Sequence, residues 1–177
     1  MDLESRCREI RLVLLDVDGV LTDGRLHYDA SGDVGRRFHV RDGSAIKLAL
    51  AAGLQVGILS GKTSAAVARR AQDLGLTKVH LGERVKAPAW ERILARLGLP
   101  EHQVAYMGDD WLDLSVLRRA GLAAAPGDAS HEVLEAAHFV ARAPGGGGCV
   151  RELIELVMGA QGTWEGAVED ALRGGPP

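Results

Sequence analysis

"RLVLLDVDGVLTDG", Arg11 to Gly24, is an apolar run that stops on two carboxylates two positions apart. Leu12 to Leu15 form a continuous apolar stretch of strand length, the pattern of a strand covered on both faces. Such a strand belongs to a parallel sheet with helices above and below it. Asp16 and Asp18 stand at its carboxyl end, where Gly19 lets the backbone turn sharply. If the extended geometry persists past Leu15, the two side chains point the same way. Like charges this close repel, so they need a cation or a shared proton.

The alternation continues along the chain. Strand-like runs recur at 54–60, 77–82, 103–110, 121–127 and 138–142, with helix-like segments at 42–53, 63–75, 86–98, 111–121 and 130–137 and a last helix over 150–159. Gly53, Gly75, Gly98 and Gly121 each follow the last periodic position of a helix, where a left-handed C-terminal cap is commonly placed. Strand–helix alternation predicts right-handed crossovers and an α/β, Rossmann-like doubly wound parallel sheet. One segment breaks the rhythm: "RLHYDASGDVGRRFHV", residues 25–40, reads as a β-hairpin turning at "DASGD". No repeat and no linker divides the chain, so residues 1–162 read as one domain. Residues 163–177 read as a tail that starts weakly helical and ends flexible.

At 177 residues the chain can bury a core without metal or disulfide staples, and its 46% apolar and 25% charged residues are ordinary for a soluble globular protein. Aromatics are only 4%, so the core must be built from Leu, Val, Ile and Ala. A net charge of −3 with scattered basic residues leaves no electrostatic footprint for nucleic acid. Cys7 and Cys149 match no metal spacing and read as two reduced thiols rather than a disulfide. The N-terminus has no apolar core for a signal peptide, and no run approaches the ~20 apolar residues of a membrane span. The expected location is the cytoplasm.

"VGILSGKTS", Val56 to Ser64, imitates a nucleotide-binding loop. A phosphate-cradling P-loop needs its first glycine five residues before the second, which is Val56 here, so the loop is too short for a triphosphate. The geometry still suits an anion: Ser60 and Gly61 end a parallel strand beside a helix start, where α/β sheets bind ligands. Taken alone, Ser60 and Thr63 could equally cap the helix. The other strand ends change the balance. "YMGDDWLDL" puts Asp109, Asp110 and Asp113 at the same sheet edge, and Lys86 follows the third strand. Carboxylates converging from several strand ends can hold a hard divalent ion together with waters and a substrate phosphate, as Mg2+ is usually held.

This order of Asp-x-Asp, Ser-Gly, Lys and Gly-Asp-Asp resembles the haloacid-dehalogenase (HAD) superfamily of Mg2+-dependent phosphohydrolases. "DVDGVLTDG", "FHVRDGSAIKLALAAGLQVGILSGK", "VAYMGDDWLDLSVLRRAGLAAAPGDA" and "PGGGGCVRELIELVM" look, in order and over almost the whole chain, like the 3-deoxy-D-manno-octulosonate (KDO) 8-phosphate phosphatase group. The resemblance implies a phosphoric monoester hydrolase acting on a phosphorylated sugar acid, with a place in lipopolysaccharide biosynthesis. It makes Asp16 the nucleophile, Asp18 the general acid and base, and Lys86 the charge-neutralising group. Asp16, Asp109 and the backbone carbonyl of Asp18 would hold Mg2+, supported by Asp110 and Asp113. Ser60, Gly61 and Lys62 would contact the substrate, and Arg41 and Asp42 would touch it or cap their helix. The gaps between motifs leave no room for a large cap domain, so the resemblance implies a homotetramer in which the hairpin and the tail make inter-subunit contacts.

Three positions depart from the group: Lys62 where an arginine is common, Gly147 where the Gly-rich loop often carries an arginine, and Val85 before Lys86. They put the sugar acid in question more than the reaction. A nonulosonate 9-phosphate, sialic acid-like, is the second candidate substrate, and a non-catalytic regulatory domain related to acylneuraminate cytidylyltransferases is the candidate from another class. The Gly-rich stretch before Cys149 reads as a substrate contact or as a flexible loop. The six histidines lack metal-ligand spacing, and Trp90, Trp111 and Trp164 read as packing residues.

Overall fold

β1 (Leu12–Leu15) is buried along its whole length. In the computed structural model, which describes residues 1–28, 30 and 34–175, it lies at the centre of the main sheet. Its neighbours are β4 (Gln55–Leu59) on one side and β6 (Val104–Met107) on the other, both parallel to it. β5 (Lys78–His80) continues the sheet beyond β4, and β7 (Leu122–Ala125) and β8 (Phe139–Val140) extend it beyond β6, giving the order β5-β4-β1-β6-β7-β8. Each expected strand is present in shortened form, and the sheet is the doubly wound α/β arrangement. The strand order reverses at β1, and the crevice at its carboxyl end is where such sheets bind ligands.

Alternation along β1 splits the core into two layers. Val13 and Leu15 pack with Cys7, Ile46, Val67, Leu153 and Val157, while Leu12 and Leu14 pack with Trp90, Ile93, Leu117 and Val133. The first layer is covered by α1 (Leu3–Glu9), α2 (Val40–Ala51), α3 (Ala65–Asp73) and α7 (Cys149–Ala160), the second by α4 (Lys86–Leu97), α5 (Leu114–Leu117) and α6 (His131–Ala136). α8 (Trp164–Leu172) packs back through Trp164 and Ala167 onto the first layer, with the Arg151 guanidinium 5.7 Å over the Trp164 ring. Cys7 and Cys149 are free and buried, and burial pushes their thiols up to about 11 and about 12.

Several expectations are corrected. α1 has no counterpart among the expected helices; its start is set by the Asp2 carboxylate, which accepts the Ser5 N–H at 2.8 Å. The helix expected over 111–121 is a 3-10 turn (Trp111–Asp113) followed by one α turn, because Asp113 bends its carboxylate back onto the N–H groups of Asp109 and Asp110. The hairpin is much shorter than residues 25–40. β2 (His27–Tyr28) and β3 (Val34–Gly35) pair antiparallel, and 36–39 carry no ladder, as expected of an isolated two-stranded ribbon. Its expected turn residues Asp29, Ser31, Gly32 and Asp33 lie outside the described residues, as do Pro176 and Pro177 at the end of the tail. Trp90 is fully buried, but Trp111 is 63% exposed and does not pack.

Gly53, Gly75 and Gly98 adopt the left-handed caps, with φ of 86°, 73° and 65°, whereas Gly121 does not. Gly121 is there for space: a Cβ would lie 2.1 Å from the His102 carbonyl oxygen. Gly159, inside α7, meets nothing. Gly121→Ala should therefore destabilise the fold by about 1–3 kcal/mol through overpacking. Gly159→Ala should stabilise it by about 0.5–1 kcal/mol through helix propensity. Urea melts of the two variants would be wrong for this account if their signs agreed.

Candidate active site

Asp16 follows β1 directly, its N–H bonded to the Met107 carbonyl at 3.0 Å, so its backbone is fixed by the sheet. The chain then turns tightly through Val17–Leu21 with Gly19 at φ 91°. A Cβ at Gly19 would lie 2.0 Å from Asp109 Oδ2, so this glycine supplies both the turn and the room for the facing carboxylate. Buried Thr22 braces the loop: its hydroxyl donates to the Val17 carbonyl at 3.2 Å and accepts the N–H groups of Gly19 and Gly24. The Gly-rich stretch packs against the same loop. Gly146 N–H donates to the Val20 carbonyl at 2.9 Å, and a Cβ on Gly145 would sit 1.9 Å from the Gly19 carbonyl oxygen. Two of its four glycines are thus sites of backbone contact with this turn.

Lys86, the first residue of α4, places its ammonium 3.0 Å from Asp16 Oδ2 and 2.5 Å from Asp113 Oδ1. It also donates to the Tyr106 hydroxyl at 3.0 Å, and that hydroxyl donates to Asp113 Oδ1 at 2.6 Å. Asp113 Oδ2 accepts the N–H groups of Asp109 and Asp110. Asp113 is therefore fully engaged as a brace, leaving Asp16 and Asp109 as the carboxylates open toward the cavity. Oxygens of Asp16, Asp109 and Asp113 all lie within 4.8 Å of one another.

Burial drives the electrostatics. It pushes Asp16 up to about 6 despite the attraction of Lys86. Burial, then repulsion from Asp16, Asp113 and Asp110, pushes Asp109 up to about 7. Burial pulls Lys86 down, but Asp16 and Asp113 outweigh it and hold the ammonium above its ordinary value. One lysine does not balance this cluster, and a divalent cation between Asp16 and Asp109 would.

A cavity of about 490 Å³ opens over these groups. Of the expected site residues, Asp16, Asp18, Ser60, Gly61, Lys62, Lys86, Asp109, Asp110 and Asp113 line it, together with Arg84 and Leu112. Ser60 is buried at the end of β4, and α3 is capped by Ser64 rather than by Ser60 or Thr63. Arg41 and Asp42 are not brought into the cavity. Arg41 is exposed, and buried Asp42 accepts the Arg151 N–H at 2.9 Å, tying α2 to α7. The Asp18 side chain turns away from the other carboxylates to Arg36, whose Nε donates to Oδ1 at 2.7 Å. A larger groove of about 630 Å³ runs along β5 and α4 but contains none of the clustered carboxylates.

Arg36, Tyr106 and Arg84 were not anticipated. Tyr106 left a signal: a tyrosine in a fully buried strand needs a partner for its hydroxyl, and the acidic run follows immediately. Arg36 left none, because two adjacent arginines in a hairpin do not reveal which one turns inward.

The haloacid dehalogenase-like hydrolase family model matches residues 83–153. The 3-deoxy-D-manno-octulosonate 8-phosphate phosphatase KdsC of Haemophilus influenzae is 40% identical over 172 residues, 97% of this chain and 94% of that protein. Among solved structures, a probable yrbI family phosphatase from Pseudomonas syringae is 44% identical with a TM-score of 0.94, covering 97% of each chain. The Moraxella catarrhalis 3-deoxy-D-manno-octulosonate 8-phosphate phosphatase in complex with a magnesium ion, a phosphate ion and KDO is 31% identical with a TM-score of 0.91, covering 94% of this chain and 95% of that one.

The cluster makes a prediction for metal-free protein. The native Asp109 carboxyl is held at about 7 against an ordinary 3.8, so between those values the native state binds more protons than the unfolded chain. This carboxyl therefore subtracts stability as pH rises. In EDTA, Asp109→Asn should gain in melting temperature relative to the parent as pH rises from about 4 to about 7. A difference that stays flat over that range would show that the Asp109 carboxyl is not held above its ordinary value.

With the fold, the converging carboxylates and identity along nearly the whole chain in agreement, the chain belongs to the family of haloacid dehalogenase-like phosphatases that includes the 3-deoxy-D-manno-octulosonate 8-phosphate phosphatases.

Proposed function

We propose that the chain hydrolyses 3-deoxy-D-manno-octulosonate 8-phosphate to the free sugar acid and phosphate through an aspartyl-phosphate on Asp16. The observation that carries this reading is the Lys86 ammonium between Asp16 and Asp113 at the base of the cavity, in a chain 40% identical to a phosphatase named for that ester. Asp16 attacks phosphorus as the bond to the sugar oxygen breaks, and Asp18 gives that oxygen a proton. Water then attacks the phosphoryl group while Asp18 takes its proton, which releases phosphate and restores Asp16. Lys86 offsets the repulsion between an anionic nucleophile and an anionic ester, and Ser60 donates to a phosphoryl oxygen.

Asp16, Asp109 and the Asp18 carbonyl are the residues that would hold Mg2+. The charge imbalance at Asp16 and Asp109 fits a divalent cation there. When bound, Mg2+ supplies further neutralisation of the transferred phosphoryl charge. Asp110 and Asp113 support the site from behind.

A nonulosonate 9-phosphate remains the second reading of the substrate, favoured by Lys62 at the cavity wall, where a point charge stands in place of a guanidinium. The regulatory reading is disfavoured by a complete nucleophile, acid/base and lysine set. Phosphate release from both esters and from simple sugar phosphates, with Mg2+ or EDTA, decides between them. Turnover should need Mg2+, should favour the octulosonate ester, and should fall by more than about a thousandfold in Asp16→Asn. Preference for a nonulosonate ester would replace the substrate, and no turnover with any ester would replace the function.

We further infer that residues 1–162 are the catalytic domain of a cytoplasmic homotetramer, with the hairpin and the 163–177 tail at subunit interfaces. Tyr28 in the hairpin, Leu172 in α8, Trp111 and the cavity-lining Leu112 are exposed, as groups awaiting a neighbouring subunit would be. Light scattering should give four times the 18.8 kDa chain mass. A monomer would remove this account of how the open cavity is covered.

A further inference from the structure

Among the described residues, the side chain of Arg36 joins the hairpin to the turn after β1. Both residues of β2 are exposed, yet the side chain of Arg36, the residue after β3, is only 4% exposed. Its Nε and Nη2 donate to the two oxygens of Asp18 at 2.7 and 3.2 Å, the fork geometry in which guanidinium recognises a carboxylate. Its remaining arm, Nη1, donates to Ser64 Oγ at 2.8 Å, the capping residue of α3. One guanidinium thus joins the hairpin, the turn after β1 and the helix that follows Ser60. Lys62 is a weaker second partner: its ammonium is 3.8 Å from Asp18 Oδ2 and its side chain is 60% exposed.

A carboxylate offers about four acceptor positions, and the fork occupies two of them. One position on each oxygen stays available for the reacting proton, while rotation of the carboxylate is suppressed. An arginine that merely anchored the hairpin could have used backbone carbonyls; this one takes the acid/base group itself.

We propose that Arg36 is a positioning residue for Asp18, so that the seating of the hairpin sets the direction in which Asp18 delivers its proton. The hairpin then takes part in proton transfer as well as in covering the site. This inference rests on the phosphatase reading with Asp18 as acid and base.

Leaving-group dependence separates this role from a merely structural one. p-Nitrophenolate departs without needing a proton, whereas phenolate and a sugar alkoxide need one, and kcat/KM reports the steps through phosphoryl transfer to Asp16. With the Mg2+-loaded enzyme, Arg36→Met should lower kcat/KM for phenyl phosphate and for the octulosonate ester by about 10- to 100-fold, and for p-nitrophenyl phosphate by less than about threefold. Asp18→Asn should show the same pattern, and Arg36→Lys should recover part of the loss. Equal losses on all three esters, or no loss on any, would overturn the proposal. If Arg36→Met does not fold, the ratio of the two aryl esters in Arg36→Lys decides the same question. The aryl pair makes the test independent of which sugar acid is the substrate. Failure of the parent enzyme to hydrolyse any of the three esters would instead overturn the phosphatase reading.

Discussion

Lys86 has to be where it is. Two carboxylates, Asp16 and Asp113, are buried at the carboxyl edge of the sheet, and its ammonium reaches both. Removing one partner from such a buried group typically costs about 3–5 kcal/mol, because the remaining charges are stranded. The requirement fixes the start of α4 relative to the ends of β1 and β6. It also explains why Tyr106 rather than an aliphatic residue fills the gap: its hydroxyl accepts from Lys86 and donates to Asp113. The residues that carry the proposed chemistry therefore also register the helix layer against the sheet.

Glycines supply the space this arrangement needs. A Cβ at Gly108 would lie 2.4 Å from the Asp113 carboxyl carbon, and one at Gly19 would strike Asp109. The carboxylates of Asp109 and Asp113 thus each face a position that carries no side chain. The Gly-rich stretch follows the same rule, with backbone packed on backbone. It was open in sequence terms whether those glycines held a ligand or formed a flexible loop. The contacts of Gly145 and Gly146 with the turn at 19–22 give them a third use.

The sheet and most of the site were legible because both obey local rules. A strand buried on both faces announces itself by a continuous apolar run, and strand ends in a parallel sheet converge without further information. What stayed hidden depends on distant partners. Gly121 resembled a cap but is dictated by His102, which no periodicity reveals. Asp42 resembled a substrate contact at a helix start but serves the first turn of α7. Trp111 resembled a packing residue, yet it opens the turn capped by Asp110 and stays exposed. Arg36 was invisible because a hairpin of two-residue strands has too little alternation to show which face is inner.

The packing of the Gly-rich stretch also orders events in time. The turn that carries Asp18 is held by Gly146 and by Cys149, whose thiol meets the Val20 carbonyl across 129 residues of chain. Contacts of such long sequence separation form late, because the intervening loop must first be closed. During vectorial synthesis Asp16 and Asp18 emerge before α7 and lack this support until α7 has left the ribosome. The nascent chain thus carries both carboxylates early and gains their final geometry only once α7 has packed against the turn.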